Sequence, residues 1–285
     1  MQDLARGMPV FVTIWVFATG AVVGSFLNVV IARVPKRQSI VSPGSRCPRC
    51  GNPIAWYDNI PLLSWILLRA RCRSCGLPIS ARYPLVELLA GILAVAVLRH
   101  TGPNWAALGY FVFVAALLAL SYIDLDSWLL PHQITWPLLA AGLLSPIWNR
   151  RLAWADAAIG AAAGFAGFAA IALLGERLLK RETMGWGDVW LLTAIGAWLG
   201  WPALLPVVLL SAVQGAAVGT ILIATRRDPD PSPAEAAAPS SDDDWVPPRH
   251  AVPYGPFLAL GALEYLFFGD RLVSAWNSVL LRLFS

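Results

Sequence analysis

The sequence predicts an all-α polytopic membrane protein that crosses the bilayer about eight times and carries one small polar domain. Hydrophobic residues fill 58% of the 285 positions and charged residues only 13%, against about 25% charged in ordinary globular domains. Mean hydropathy is +0.63. The apolar residues fall in repeated runs long enough for a hydrocarbon core about 30 Å thick, while one polar stretch, residues 33–82, contains all four cysteines. The net charge of +4 is modest, and the basic residues sit in loops beside apolar runs rather than along one face. That distribution argues against nucleic acid as a partner and for the lipid bilayer.

In chain order, residues 1–32 form the first membrane segment, with 9–32 almost uncharged. The run leads straight into a basic loop without a clear small-residue cleavage site, so it is expected to be a retained span rather than a signal peptide. Gly20 and Gly24 stand four residues apart, the spacing of close helix packing in membranes. Asn28, near the end of the run, is expected to face a polar cleft.

Residues 33–83 are expected to be a separate cytoplasmic domain. Its cysteines stand as Cys47-Pro-Arg-Cys50 and Cys72-Arg-Ser-Cys75, with 21 residues between the pairs. Each C-x2-C makes a tight knuckle that offers two thiolates, and four thiolates complete a tetrahedral zinc site, a structural zinc knuckle. Arg46, Arg49, Arg71 and Arg73 flank the sulfurs and offset their charge. Two disulfides or four free thiols are the alternatives. The nine arginines and lysines of 33–82 face a lone Asp58, which places the loop in the cytoplasm by the positive-inside rule, where disulfides rarely persist.

Residues 84–225 are expected to form the membrane core. Its spans are 84–98, which carries Glu87 near its start, then 105–123, 131–148, 154–174, 189–199 and 202–224, the last two hinged at Gly200-Trp201-Pro202. Residues 226–250 differ in kind: 226–249 hold six prolines and six acidic residues, too little apolar surface to offset ordering entropy, so a disordered acidic loop is expected. Residues 251–285 hold the last span, 252–268, with Glu264 inside it, and an interfacial helix at 271–284. No internal repeat is apparent.

The chemistry concentrates in carboxylates at the ends of spans. SYIDLDSWLLP, at 121–131, closes an apolar run with Asp124 and Asp126, and MGWGDVW brings Asp188. A carboxylate at bilayer depth costs roughly 2.5 to 3.5 kcal/mol on insertion scales, so it is a functional hypothesis by default. Asp124 and Asp126 lie about 200° apart around a helix, and Asp124 continues the buried run. Alternating span directions return both Asp124 and Asp188 to the cytoplasmic face. Taken alone, Asp188 reads as a helix N-cap. Taken with Asp124, it reads as half of an aspartic dyad, two carboxylates sharing one proton, which can split a peptide bond.

The chain resembles the type IV prepilin peptidases, bifunctional leader peptidases and N-methyltransferases among the GxGD aspartic proteases. The likeness covers nearly the whole chain: GSFLNVVIARVP at 24–35, the paired CxxC motifs, WYDNIPLLSWILLRARCRSCGLPISARYPLVELLAG at 56–91, IDLDSWLLP, MGWGDVWLLTAIGAWLG from Met184, and PYGPFLALGA from Pro253. The resemblance implies catalytic Asp124, from the D-x6-P element, and catalytic Asp188, from GxGD. It implies S-adenosylmethionine as methyl donor, prepilins and pseudopilins cut after a glycine as substrates, and a multi-pass location in the bacterial inner membrane with the active site facing the cytoplasm. Two departures stand out: Trp190 occupies the position where the family usually has lysine, and the 226–249 loop is longer than usual. Two other classes remain open at this level. One is a zinc-bearing transporter whose intramembrane acids carry protons; the other is a peptidase without methyl transfer, because no G-x-G-x-x-G nucleotide loop is present.

Overall fold

The computed structural model describes residues 9–180, 184–225 and 252–283. Among them the chain forms helices and no β-strand beyond two single bridges in the polar domain. The helices are α1 (Val10–Arg33), α2 (Leu63–Leu67), α3 (Arg82–Thr101), α4 (Trp105–Ser127), α5 (His132–Leu144), α6 (Trp154–Leu179), α7 (Trp186–Leu199), α8 (Leu204–Thr225) and α9 (Gly255–Leu283). The expected acidic loop 226–250 lies outside the described residues.

Among the described residues, five helical segments are long and apolar enough to cross a membrane: α1, α3, α4, nearly all of α6, and α8 together with the 3₁₀ turn that precedes it. The expected spans 131–148 and 189–199 are shorter. The 13 residues of α5 and 14 of α7 rise only about 20 Å each, less than a hydrocarbon core. Pro146 and Gly200 explain where they stop: Pro146 opens a 3₁₀ turn after α5, and Gly200, at φ +80, caps α7 and turns the chain into α8. At the C-terminus the structure differs from expectation. Residues 255–283 are one unbroken helix, because Gly269 alone costs only about 1 kcal/mol of helix propensity, too little to end it.

Lipid tails are as apolar as leucine, so helices in a bilayer associate mainly by close packing. Gly20 and Gly24 meet that requirement as predicted. A Cβ on Gly20 would stand 2.6 Å from the Ala94 Cβ, and one on Gly24 would stand 2.7 Å from the Glu87 Cα. These contacts seat α1 on α3. The same device joins α6 to α7, where a Cβ on Gly160 would fall on the Gly196 carbonyl oxygen and a Cβ on Gly196 on that of Gly160.

Trp198 of α7 anchors the main core. It is fully buried, stacks on Phe113 of α4 with ring centres 5.2 Å apart, and donates its indole N–H to the Leu138 carbonyl at 2.8 Å. Trp198 thereby ties three helices together, which fixes α7 along its length. Gly196→Ala is expected to destabilise the protein by about 1–3 kcal/mol through overpacking, seen as a lower thermal midpoint in detergent. Gly219→Ala, whose Cβ meets nothing within 4 Å, should leave the midpoint unchanged or raise it.

Candidate active site

Asp124 lies in the last turn of α4, which ends when Trp128 takes a left-handed conformation at φ 55 and donates its N–H to the Asp124 carbonyl. The side chain is 5% exposed. Its Oδ2 accepts the backbone N–H of Gly255 at 3.0 Å. Gly255 is the first residue of α9, where backbone N–H groups have no acceptor within their own helix. Asp124 therefore caps α9 from 131 residues away. Glycine is required there: a Cβ on Gly255 would stand 2.6 Å from Oδ2.

Asp188 lies in the first turn of α7. The helix is capped by Gly185, with no side-chain hydrogen bond, so Asp188 is not the N-cap that its sequence context alone permits. Its carboxylate is within Coulombic range of Asp124. The link between the two is steric as well. Leu130, from the turn after α4, lies against Gly187, where a Cβ would stand 2.8 Å from the Leu130 Cβ, and against Gly255, where a Cβ would stand 3.4 Å from its Cδ1. Glycine on both sides of Leu130 lets the starts of α7 and α9 close on the end of α4.

Asp126 takes the opposite face, as the helical offset requires. It is bound by Arg82, the first residue of α3, with Nη1 donating to Oδ1 at 2.6 Å. The Arg82 guanidinium also lies 4.9 Å over the Tyr122 ring. The chain leaving the polar domain and the carboxylate end of α4 consequently share one end of the bundle.

Sequence reasoning passed over Gly255 and Tyr254 as parts of this site. Tyr254 pairs with the buried Ser211 hydroxyl, oxygen to oxygen 2.6 Å, and its phenol is within Coulombic reach of Asp188. The PYGP motif was the available signal, but nothing in it specifies a partner more than a hundred residues earlier. Trp190 joins an aromatic cluster with Phe165, Trp136 and His132, ring centres 5.2, 5.9 and 6.4 Å away, so the place of the usual lysine is filled by ring packing. Glu264 meets Gln214, whose Nε2 donates to it at 2.7 Å.

The four cysteines converge as the spacing predicts. Their sulfur atoms all lie within 4.8 Å of one another, and all four are free thiols rather than disulfides. A tetrahedral ion with Zn–S near 2.3 Å sets sulfurs about 3.8 Å apart, so the group is able to hold a metal ion. The two knuckles are copies, a repeat that the sequence reading missed because it is only eight residues long: CPRCGNPI and CRSCGLPI. Cys47 N–H bonds to Asn52 O and Cys72 N–H to Leu77 O, both at 2.9 Å, and the glycine after each pair donates back to the first cysteine carbonyl, again at 2.9 Å. Gly51 and Gly76 have φ of 73 and 69, the left-handed turn that glycine adopts most easily. Backbone N–H groups of Cys50 and Arg49 pull the Cys47 thiol down to about 6. Cys75, although the Leu77 N–H lowers it, is pushed up to about 11 by burial and by the neighbouring sulfurs. Asp58 braces the domain through Arg73, which binds both its carboxylate oxygens at 2.7 Å and holds its carboxyl below the usual range.

A multi-pass helical bundle with a four-cysteine domain and two carboxylates within Coulombic range of each other at the ends of its helices is the class these features define. Comparison with known proteins gives the family. Residues 18–101 match the Bacterial Peptidase A24 N-terminal domain and residues 111–220 the Type IV leader peptidase family. The chain is similar to the Prepilin leader peptidase/N-methyltransferase of Myxococcus xanthus, 43% identical over 93% of this chain and 92% of that protein. It is also similar to the proteins of that name in Aeromonas hydrophila, 40% identical over 97% of each, and Burkholderia pseudomallei, 42% identical over 88% and 83%. No solved structure was found to match. The chain belongs to the type IV leader peptidase family.

The Gly255 contact yields a stability prediction. Gly255→Ala pushes a methyl group against the Asp124 carboxylate and is expected to lower the thermal midpoint, with a cost of about 1–3 kcal/mol. Gly185→Ala, at an ordinary φ of −70 and with its Cβ 3.8 Å from the Asp188 Oδ2, should change the midpoint little.

Proposed function

We propose that this protein is an intramembrane aspartic endopeptidase that removes the basic leader from type IV prepilins and type II secretion pseudopilins after a glycine, and then N-methylates the new terminal residue. The observation that carries the peptidase reading is that Asp124 and Asp188 lie within Coulombic range of each other at one end of the bundle, with Leu130 packed against the glycines at the starts of α7 and α9. One carboxylate takes a proton from water while the other donates to the scissile carbonyl oxygen or the leaving nitrogen. As a coupled pair they share one proton, and its assignment to one residue is a matter of microstate. The Gly255 N–H orients Asp124 for that work. The methyl-transfer reading is supported by the names of the relatives.

In this reading the polar domain and both aspartates face the cytoplasm and the protein sits in the bacterial inner membrane. The basic leader of a substrate stays on that side while its apolar stalk enters the bilayer. Cys47, Cys50, Cys72 and Cys75 hold a structural zinc ion, which ties the knuckles together and takes no part in peptide hydrolysis. The expected division of the chain is retained: the first span at 1–32, the zinc-binding domain at 33–83, the peptidase core at 84–225, the acidic loop at 226–250 and the last span with its C-terminal extension at 251–285.

Asp124→Asn and Asp188→Asn are each expected to lower leader removal by about 10²–10⁴-fold, the usual contribution of a positioned acid or base. The double variant should be little worse than either single one, since the pair acts as a unit. Asp126→Asn should retain activity. The check is cleavage of a purified prepilin read by mass spectrometry; full cleavage by either single variant would refute the dyad. Protein purified under reducing conditions without chelators should carry about one zinc per chain, and Cys72→Ser should lower that content. Metal analysis that finds none would refute the zinc site.

A further inference from the structure

The hydrogen bonds around the two aspartates are not equivalent. Asp124 accepts the Gly255 N–H at 3.0 Å, and a backbone donor favours the charged form of a carboxyl. Asp188 stands differently. Among the described residues none donates a hydrogen bond to its carboxyl, and the groups electrostatically tied to it are Asp124 of α4 and the phenol of Tyr254, the residue ahead of α9. What the phenol offers Asp188 depends on where the phenol's own proton lies.

Two hydrogen bonds locate that proton. Ser211, fully buried on α8, lies 2.6 Å from the Tyr254 oxygen and 2.9 Å from the Val208 carbonyl oxygen. A carbonyl only accepts, and serine has one hydroxyl proton. The arrangement that satisfies both contacts has Ser211 donating to Val208 and Tyr254 donating to Ser211. The phenol proton is thereby committed, and the oxygen offers Asp188 acceptor lone pairs alone. Packing holds this arrangement in place. The Tyr254 ring lies against Phe168 of α6, ring centres 6.3 Å apart, and its carbonyl accepts the N–H groups of Phe257 and Leu258 in the first turn of α9. Helices α8 and α9 meet closely at Gly261, where a Cβ would stand 2.8 Å from the Val207 carbonyl oxygen.

We propose that Tyr254 and Ser211 are positioning residues that keep the shared proton of the dyad on Asp188, while the Gly255 N–H keeps Asp124 ionised; this rests on the peptidase reading above. An acceptor beside Asp188 stabilises the carboxylic acid and opposes the carboxylate. Helix dipoles pull the other way, since Asp188 lies in the first turn of α7, whereas at Asp124 the end of α4 and the start of α9 offset each other. A hydrogen bond to a charged group is worth roughly three times such a dipole contact, so the bonds decide. Asp124 then takes a proton from water as the water oxygen bonds to the scissile carbonyl carbon, and Asp188 gives its proton to the carbonyl oxygen, which leaves a neutral gem-diol. In the second half Asp188 recovers a proton from a diol hydroxyl and Asp124 passes its proton to the peptide nitrogen. The carbon–nitrogen bond breaks with its electron pair going to nitrogen, and the dyad ends as it began.

Prepilin cleavage by full-length protein in detergent, followed as kcat/KM across pH, tests the assignment. The acid side of the profile reports protonation of Asp124 and the alkaline side reports loss of the proton from Asp188. Tyr254→Phe removes the acceptor and keeps the ring. Ser211→Ala frees the phenol proton to turn to Asp188, where it favours the carboxylate. Both variants are expected to move the alkaline side down by about half a pH unit or more, a loss of roughly threefold or more in rate at a fixed pH on that side, with the acid side in place. A shift of the acid side, an upward shift of the alkaline side, or no shift in either variant overturns the assignment and leaves the peptidase reading intact. No cleavage by the unaltered protein at any pH overturns that reading instead. Should the variants fail to fold, chemical labelling of the unaltered protein decides, because an apolar diazoacetyl ester esterifies a protonated carboxyl and an apolar epoxide alkylates a carboxylate. Ester on Asp188 with the epoxide adduct on Asp124, mapped by mass spectrometry, supports the proposal; any other pattern overturns it.

Discussion

The hydrogen bond between the Asp124 carboxylate and the Gly255 N–H is the contact on which the site depends. A carboxylate removed from water is costly unless donors meet it, and the first N–H groups of a helix lack acceptors of their own. Each group here satisfies the other, and the helix N-terminus adds a favourable dipole for negative charge. The arrangement holds only if no side chain intervenes, and glycine at 255 leaves the room. Leu130 extends the same logic to α7, because it occupies the space that glycine at 187 leaves open. The positions of three helix ends are thus set by one hydrogen bond and one leucine between two glycines.

Rigidity behind the site comes from backbone proximity rather than from hydrophobic drive. In α6 and α7 the chains approach so closely at Gly160 and Gly196 that a methyl group on either would collide with the carbonyl of the other. Trp198 then locks α7 against α4 and α5 through stacking and its indole hydrogen bond. A short helix held this firmly presents its first turn, and Asp188 with it, at a constant position. The proposed dyad would gain from such preorganisation, because the geometry is set before substrate arrives.

The polar domain is organised by different physics. Its two eight-residue knuckles have almost no core of their own: Cys47 is the buried cysteine, and much of the surrounding chain is exposed. A metal ion held at the four sulfurs, as proposed, would supply cohesion that apolar burial does not. Two further ties dock the domain to the membrane helices, Asn28 to the Tyr83 carbonyl and Glu87 to the Leu62 N–H.

Much of this was legible in the residues themselves. Apolar runs specify membrane helices because a bilayer leaves few other ways to satisfy a backbone, and paired C-x2-C motifs specify a four-sulfur cluster because the geometry of each knuckle is local. Gly20 and Gly24 revealed the α1–α3 packing through their spacing, and the 200° offset separated Asp124 from Asp126. Helix lengths were less legible: α5 and α7 are shorter than the helices that plainly reach across a hydrocarbon core, and 271–283 continues α9 instead of starting anew, because where a helix stops depends on its neighbours as well as on its own composition. The Asp124–Gly255 bond, the seat of Leu130 and the Tyr254–Ser211 pair were decided only by the tertiary structure. Each joins residues far apart in the chain, and local spacing carries no information about which distant helix end will supply the missing partner.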